Sequence, residues 1–118
     1  MKAQRIYEIA SGFLYERDGE DTDSKFFSVD FINTLLAETF DCENSIRKSE
    51  GRPLLAEPPM LESLQEDVPY HFDLTRTALP YGLCAIFFAE AMDNYHEALY
   101  RNKYNVAVDA AHRFNSEE

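Results

Sequence analysis

The chain places apolar residues with the period of an α-helix in four stretches. The first covers residues 3–16, and its apolar stripe consists of Ile6, Ile9, Ala10, Phe13 and Leu14. The second covers residues 25–48, where the same spacing continues until Gly51 and Pro53 end the helix. A short connection joins these two helices, so we expect them to pack as an antiparallel hairpin.

The third and fourth stretches distribute their apolar residues differently. Residues 70–91 are apolar on nearly every side between Leu79 and Phe88, as expected for a helix at the centre of a bundle. Pro80 means that this helix either kinks or restarts with the proline in its first turn, and we expect a kink. Residues 94–114 carry apolar residues on two sides, of which we expect one to pack inward and the other against a partner. These sides are Tyr95, Leu99, Val106 and Ala110, and Tyr100, Tyr104, Ala107 and Ala111.

Two stretches without this periodicity connect the helices. Residues 17–24 contain four acids, one base and one glycine, which predicts an exposed acidic loop. Its candidate carboxylates, with the residue before it, are Glu16, Asp18, Glu20, Asp21 and Asp23. Residues 49–69 contain four of the five prolines, which predicts an extended arm. Such long loops are usually functional or disordered, and this one is a candidate for docking against its own bundle or a neighbour. Its candidate contact residues are Arg52, Leu54, Leu55, Met60, Leu61 and Leu64.

Together these elements predict an all-α fold in a single domain over residues 1–118. The expected architecture is an antiparallel bundle of four helices with a long Pro-rich extended arm between the second and third. A chain of 118 residues with 45% hydrophobic and 28% charged residues has the balance of one soluble globular domain. Its core is small, which weighs against an enclosed substrate cavity.

The charge balance narrows the classes of partner. The chain carries 22 acidic and 11 basic residues, a formal charge of −11, and this surplus repels nucleic-acid phosphates and anionic membranes. We therefore expect no specific nucleic-acid binding and no membrane partner, and the N-terminus has no apolar run typical of a signal sequence. Cys42 and Cys84 lack the spacing of a disulfide framework or a zinc site, which fits a reducing cytoplasm.

Few residues are candidates for catalysis or metal binding. Asp93 and His96 have the carboxylate-x-x-His spacing of di-iron bundles, but only one copy exists, so a capping or surface role is the stronger interpretation. Cys84 lies in an apolar stretch and is expected to be a core residue. We predict no catalytic residue, no metal site and no cofactor, and a small enzyme is the weakest alternative. Aromatic and basic residues on the last helix are instead interface candidates, namely Tyr100, Arg101, Lys103 and Tyr104.

The order of features resembles the small helical head-tail connector, or adaptor, proteins of tailed bacteriophages. The similar parts are the opening helix at residues 3–7, the second helix at residues 31–38, the Pro-rich arm, residues 78–85 and residues 98–104. In letters, the helical parts are AQRIY, FINTLLAE, ALPYGLCA and ALYRNKY. The resemblance covers most of the chain, and it is a pattern without a catalytic signature.

This resemblance implies a structural virion protein, made in the host cytoplasm and placed in the virion neck. Such a protein docks as a ring, commonly twelve-fold, on the portal protein and contacts the next neck or tail protein while DNA passes through the middle. An acidic subunit around that channel would repel the duplex and let it slide. The acidic loop is the candidate channel surface and the arm the candidate contact with a neighbour or the portal, although the reverse assignment also fits.

A second interpretation is a free acidic helical adaptor or inhibitor that binds a basic host protein, for example as a DNA mimic. Mimicry requires clustered acids, whereas the carboxylates here are spread through loops and helices. It also leaves the apolar arm without a role.

Overall fold

The structure is a computed structural model that describes residues 1–14 and 22–116, with side chains described at all of these except 22–24 and 116. This part of the chain forms five α-helices and one π-helical turn. They are α1 (Ala3–Phe13), α2 (Thr22–Glu38), α3 (Phe40–Glu50), the π-helical turn (Leu74–Ala78), α4 (Leu79–Glu90) and α5 (Asn94–Ser116). Within the described residues no β-strand forms, and one isolated antiparallel bridge joins Lys2 to Asp67. The predicted all-α class is confirmed.

The predicted helix over residues 25–48 is two helices, α2 and α3, separated at Thr39. The hydroxyl of Thr39 donates to the carbonyl of Leu35 at 2.8 Å, and the Thr39 backbone has a φ of −101°. Such a bond from a threonine to the carbonyl four residues earlier bends helices, which the apolar period alone does not reveal. The predicted end is confirmed, since α3 stops at Glu50 and Gly51 closes it in the left-handed conformation with a φ of 74°.

The helix type changes just before Pro80, the position at which we predict a kink. The amide of Leu79 donates to the carbonyl of Leu74, five residues earlier, and α4 then has Pro80 in its first turn. Proline has no amide hydrogen to donate to the carbonyl of Arg76, and a wider turn accommodates that loss. Pro80 thus lies in the first turn of α4, while the backbone stays helical from the π-helical turn into α4.

The core is built around α4, which contacts α1, α2 and α5. Leu79, Leu83 and Cys84 are fully buried, as the apolar run predicted. Gly82 lies where a Cβ atom would be 2.7 Å from the Leu35 side chain and 2.8 Å from the Tyr104 ring, so any larger residue would force one of them to shift.

The first helix begins against the chain between α3 and α4. The amides of Ala3 and Gln4, which have no partner inside α1, donate to the carbonyls of Glu66 and Leu64 at 2.9 and 2.8 Å. Ile6 and Ala10 are fully buried, as their stripe predicted. The helix ends at Phe13, earlier than the predicted residue 16.

The two sides of α5 are also separated in the structure. Tyr104 and Ala111 are buried in the core, whereas Tyr95, Leu99 and Val106 are exposed. The helix starts at the predicted cap, since the carboxylate of Asp93 accepts a hydrogen bond from the amide of His96 at 3.1 Å. None of the helices in the described part of the chain is long and apolar enough to span a bilayer.

Candidate functional site: the clamped segment

Residues 51–71, which we call the clamped segment, connect α3 to the helical turn before α4. Pro53, Pro58, Pro59 and Pro69 exclude a regular helix here. Its backbone groups therefore need partners elsewhere. Most of the bonds that follow come from side chains of α2 and α3.

Two asparagines each hold the backbone of one leucine in this segment. The side-chain amide of Asn44 on α3 donates to the carbonyl of Leu55 at 3.0 Å and accepts from the Leu55 amide at 2.9 Å. Asn33 on α2 does the same at Leu61, with distances of 3.0 and 2.8 Å. A carboxamide can replace a neighbouring β-strand in this way because it carries one acceptor and a donor group side by side. The two bonds at each leucine fix its position on the helices.

A buried ion pair fastens both ends of the segment. The Glu43 side chain is fully buried, and its carboxylate accepts from Arg47 Nε at 2.7 Å and from the His71 amide at 2.7 Å. Arg47 in turn donates to the carbonyls of Pro53 and Pro69 at 3.1 and 2.7 Å. One pair on α3 thus contacts the segment near its start and near its end.

Tyr70 adds an apolar anchor with a polar tip. Its ring is buried and its hydroxyl donates to the carbonyl of Leu36 at 2.6 Å. Burial, together with the nearby Glu43 carboxylate, raises the pKa of the Tyr70 phenol far above its usual value. The hydroxyl therefore stays a donor at every physiological pH.

The predicted contact residues of the arm divide into an inner and an outer set. Leu61 and Leu64 are buried in the core and Leu55 is half-buried, so these three hold the segment in place. Leu54 and Met60 are exposed by 56% and 79% of their surface. Arg52 is also exposed, and its Nε lies 2.8 Å from Glu50. The residues available to a partner are therefore Arg52, Leu54 and Met60.

The four interface candidates of the last helix lie on α5, mostly facing their own chain. Tyr104 is buried and donates to Glu38 Oε1 at 2.7 Å, and burial followed by this bond raises its pKa well above the usual value. Arg101 lies 3.8 Å from the same carboxylate, and Tyr100 stacks on Phe88. Lys103 is exposed, with its ammonium 5.8 Å from the Tyr81 ring centre.

The predicted channel-facing loop falls largely outside the described residues. Glu16, Asp18, Glu20 and Asp21 belong to residues 15–21, which the structure does not describe. Asp23, predicted as part of the same loop, is in the first turn of α2. The loop prediction is therefore corrected at residues 22–24, because α2 begins three residues before the predicted position.

An open groove of about 510 Å³ lies beside α5, lined in part by Cys42, Asp41 and Asp109. Burial, followed by the neighbouring Glu43 carboxylate, raises the pKa of the Cys42 thiol to about 11. The thiol is protonated at neutral pH, so it is not an activated nucleophile. In the described part of the chain, no three His, Cys, Asp or Glu residues are grouped so that they could hold a metal ion.

Sequence reasoning missed the residues that hold the segment, namely Asn33, Asn44, Glu43 and Arg47. A usable signal existed, because asparagine is unfavourable inside a helix and Asn33 follows directly on the buried Ile32. Which backbone such an amide binds depends on the tertiary fold.

Comparison with protein-family models, with curated protein sequences and with solved structures finds no match to this chain.

Proposed function

We propose that this protein is a head-tail connector of a tailed bacteriophage, which docks as a ring on the portal protein and bridges to the next neck or tail protein. The proposal starts from the resemblance in the sequence, which spans most of the chain. The observation that carries it is the clamped segment, because two apolar side chains are held outward on a backbone fixed from both sides. A docking surface has this property, since little entropy is lost when a partner covers it.

The arrangement of the helices and of the clamped segment is part of the same proposal. We propose that α2 and α3 together take the place of the predicted second helix in an antiparallel bundle around α4. The contacts of α4 with α1, α2 and α5 support this arrangement. The clamped segment then corresponds to the Pro-rich arm, with Leu54 and Met60 as its contact to the portal or to a neighbouring subunit.

The negative charge of the chain supports a position around DNA without binding to it. At −11 per subunit, copies placed around a channel repel the duplex, and counterions limit that repulsion. The same charge disfavours self-association of free subunits. A ring that assembles on a portal template is consistent with this balance, with a monomer in solution before attachment.

The test is negative-stain microscopy of the protein mixed with the portal protein from the same genome, with each protein alone as a control. The proposal expects an added ring of density on the portal. A double variant, Leu54→Ser with Met60→Ser, should abolish that ring. Phe26→Ser with Phe27→Ser is the matched control, since these side chains are 75% and 46% exposed on α2, and it should still attach.

The outcomes distinguish the connector function from the contact assigned to the clamped segment. If the native protein adds no density to the portal, the connector function is wrong, and the acidic inhibitor that binds a basic host protein becomes the better hypothesis. If both double variants still attach, the connector function stands and the contact assigned to the clamped segment is wrong.

A further inference from the structure

The turn between α4 and α5 exposes three apolar side chains within eight residues. Met92, Tyr95 and Leu99, which we call the turn patch, are exposed by 85%, 73% and 39% of their surface. Tyr95 and Leu99 are four residues apart on α5, so they lie on the same face of the helix. Exposed apolar side chains that occur together mark a contact surface more often than single ones.

Met92 occupies this position at a cost in backbone conformation. Its φ is 60°, the left-handed region in which a residue with a Cβ atom is strained and in which helices usually place glycine. It is the one non-glycine residue with a positive φ in the described part of the chain. A long apolar side chain that is 85% exposed and on a strained backbone contributes little to the stability of the monomer.

Aromatic stacking supports the patch from behind. The His96 ring stacks on Phe88 with centroids 5.0 Å apart, and Tyr95 packs edge-on against His96 at 5.0 Å. Phe88 in turn stacks on Tyr100 at 5.5 Å. Tyr95 is therefore held in place despite its exposure, as an interface residue needs to be.

The charges around the patch are negative. Glu90, Asp93 and Glu97 lie within two residues of Met92 or Tyr95 in the sequence, whereas the lysine nearest in sequence, Lys103, lies one turn beyond Leu99 at the far end of the patch. The Asp93 carboxylate accepts bonds from the His96 amide and from His96 Nδ1, and these bonds lower its pKa, so it is ionised at neutral pH. The net charge of −11 adds a long-range attraction for cations.

We propose that the turn patch binds an amphipathic helix of a partner protein that presents apolar side chains flanked by lysine or arginine. The apolar side chains cover Met92, Tyr95 and Leu99, and the basic flanks pair with the surrounding carboxylates. This binding mode matches the recognition of a helix by an apolar surface with a complementary charge. It does not rest on the connector function and concerns a different surface from the clamped segment.

The test uses two fluorescein-labelled synthetic helices of eighteen residues that have leucine on one face and either lysine or glutamate on the other. Fluorescence anisotropy with the full chain should show binding of the leucine/lysine helix, weakening as salt is added, and no binding of the leucine/glutamate helix. Absence of binding by the lysine helix, or equal binding of both helices, would overturn the proposal.

Met92→Gly separates contact from simple charge attraction, because it leaves every charge in place. The variant should bind the lysine helix roughly tenfold more weakly, since one buried methionine is lost from the contact. Its melting temperature should rise by about 2–5 °C because the backbone strain is relieved. Phe26→Ala, at an exposed apolar residue of α2 outside the patch, should bind the helix as the native chain does. Unchanged binding by Met92→Gly, or a lower melting temperature, contradicts the proposal.

Discussion

Met60 and Met92 are both exposed, but the protein holds them in opposite ways. Met60 follows two prolines in a segment whose backbone is bonded at Leu55 and Leu61 by asparagine side chains. Met92 lies in a tight turn with a left-handed backbone that its side chain disfavours. The first region presents an apolar group by fastening the chain around it, and the second by accepting strain. Substitutions should therefore change the stability of the two regions by different amounts and, at the methionines, with opposite signs.

The largest effect is expected at the ion pair that fastens the clamped segment. Glu43→Ala leaves Arg47, only 13% exposed, without its carboxylate, and removes the acceptor of the His71 amide. Breaking such a buried pair should lower the free energy of unfolding by about 3 kcal/mol. Urea unfolding followed by circular dichroism measures this change.

The control for this variant is Asp109→Ala, which removes an exposed pair with Arg113 on α5. It should change the free energy of unfolding by less than about 0.5 kcal/mol. A loss at Glu43 as small as that at Asp109 would mean that the ion pair does not hold the segment.

Next in size are the two asparagines. Asn33→Ala and Asn44→Ala each remove two bonds to one leucine backbone and should each cost about 1–2 kcal/mol in unfolding free energy. The two losses should add in the double variant, because the asparagines bind different leucines. Asn102→Ala, at an exposed position of α5, serves as the control in the same urea titration. Losses no larger than that of the control would show that the two asparagines do not hold the segment.

Replacing each methionine with glycine should change the stability of the fold in opposite directions. Met92→Gly should stabilise the fold by about 0.5–1 kcal/mol, since glycine accepts the left-handed backbone. Met60→Gly should destabilise it by about 0.5 kcal/mol, since it only adds freedom to the unfolded chain. Thermal unfolding of both variants decides the matter, and changes of the same sign would show that strain does not distinguish the regions.

The smallest effect concerns pH at the start of α5. The bonds from the His96 amide and ring hold the pKa of Asp93 below its usual 3.8, so the folded state favours the carboxylate. This stability is complete above the unfolded pKa and is lost as the pH falls below it through the folded pKa. Asp93→Asn should therefore show a shallower fall in melting temperature between pH 5 and about pH 2. Parallel curves for variant and native chain would contradict this linkage.

The apolar period predicted the helices well where packing and local pattern agree. The all-α class, the buried face of α1 and the burial of α4 follow from the placement of Ile6, Ala10 and Leu83. The end of α3 followed from Gly51, because a left-handed cap has a strong residue preference. These features depend on near neighbours in the chain.

The misses depend on contacts distant in sequence or on backbone detail. The helix is interrupted at Thr39, where the hydroxyl bonds to the carbonyl of Leu35, and the turn before Pro80 takes a π-helical form that the helical period does not specify. Tyr104 is of a residue type that is enriched at interfaces, yet its ring packs in the core against Gly82. The partners of Asn33 and Asn44 lie 28 and 11 residues away, so no local pattern could assign them.

Amide hydrogen exchange of the isolated protein, resolved by residue with nuclear magnetic resonance, tests most directly whether the segment is held by its own chain. The amides of Leu55 and Leu61 should exchange slowly, and those of the exposed Ala56 and Glu57 fast. Asn44→Ala should remove the protection at Leu55 and keep it at Leu61. Exchange at Leu55 and Leu61 as fast as at Ala56 would contradict the clamped segment and, with it, the presentation of Leu54 and Met60.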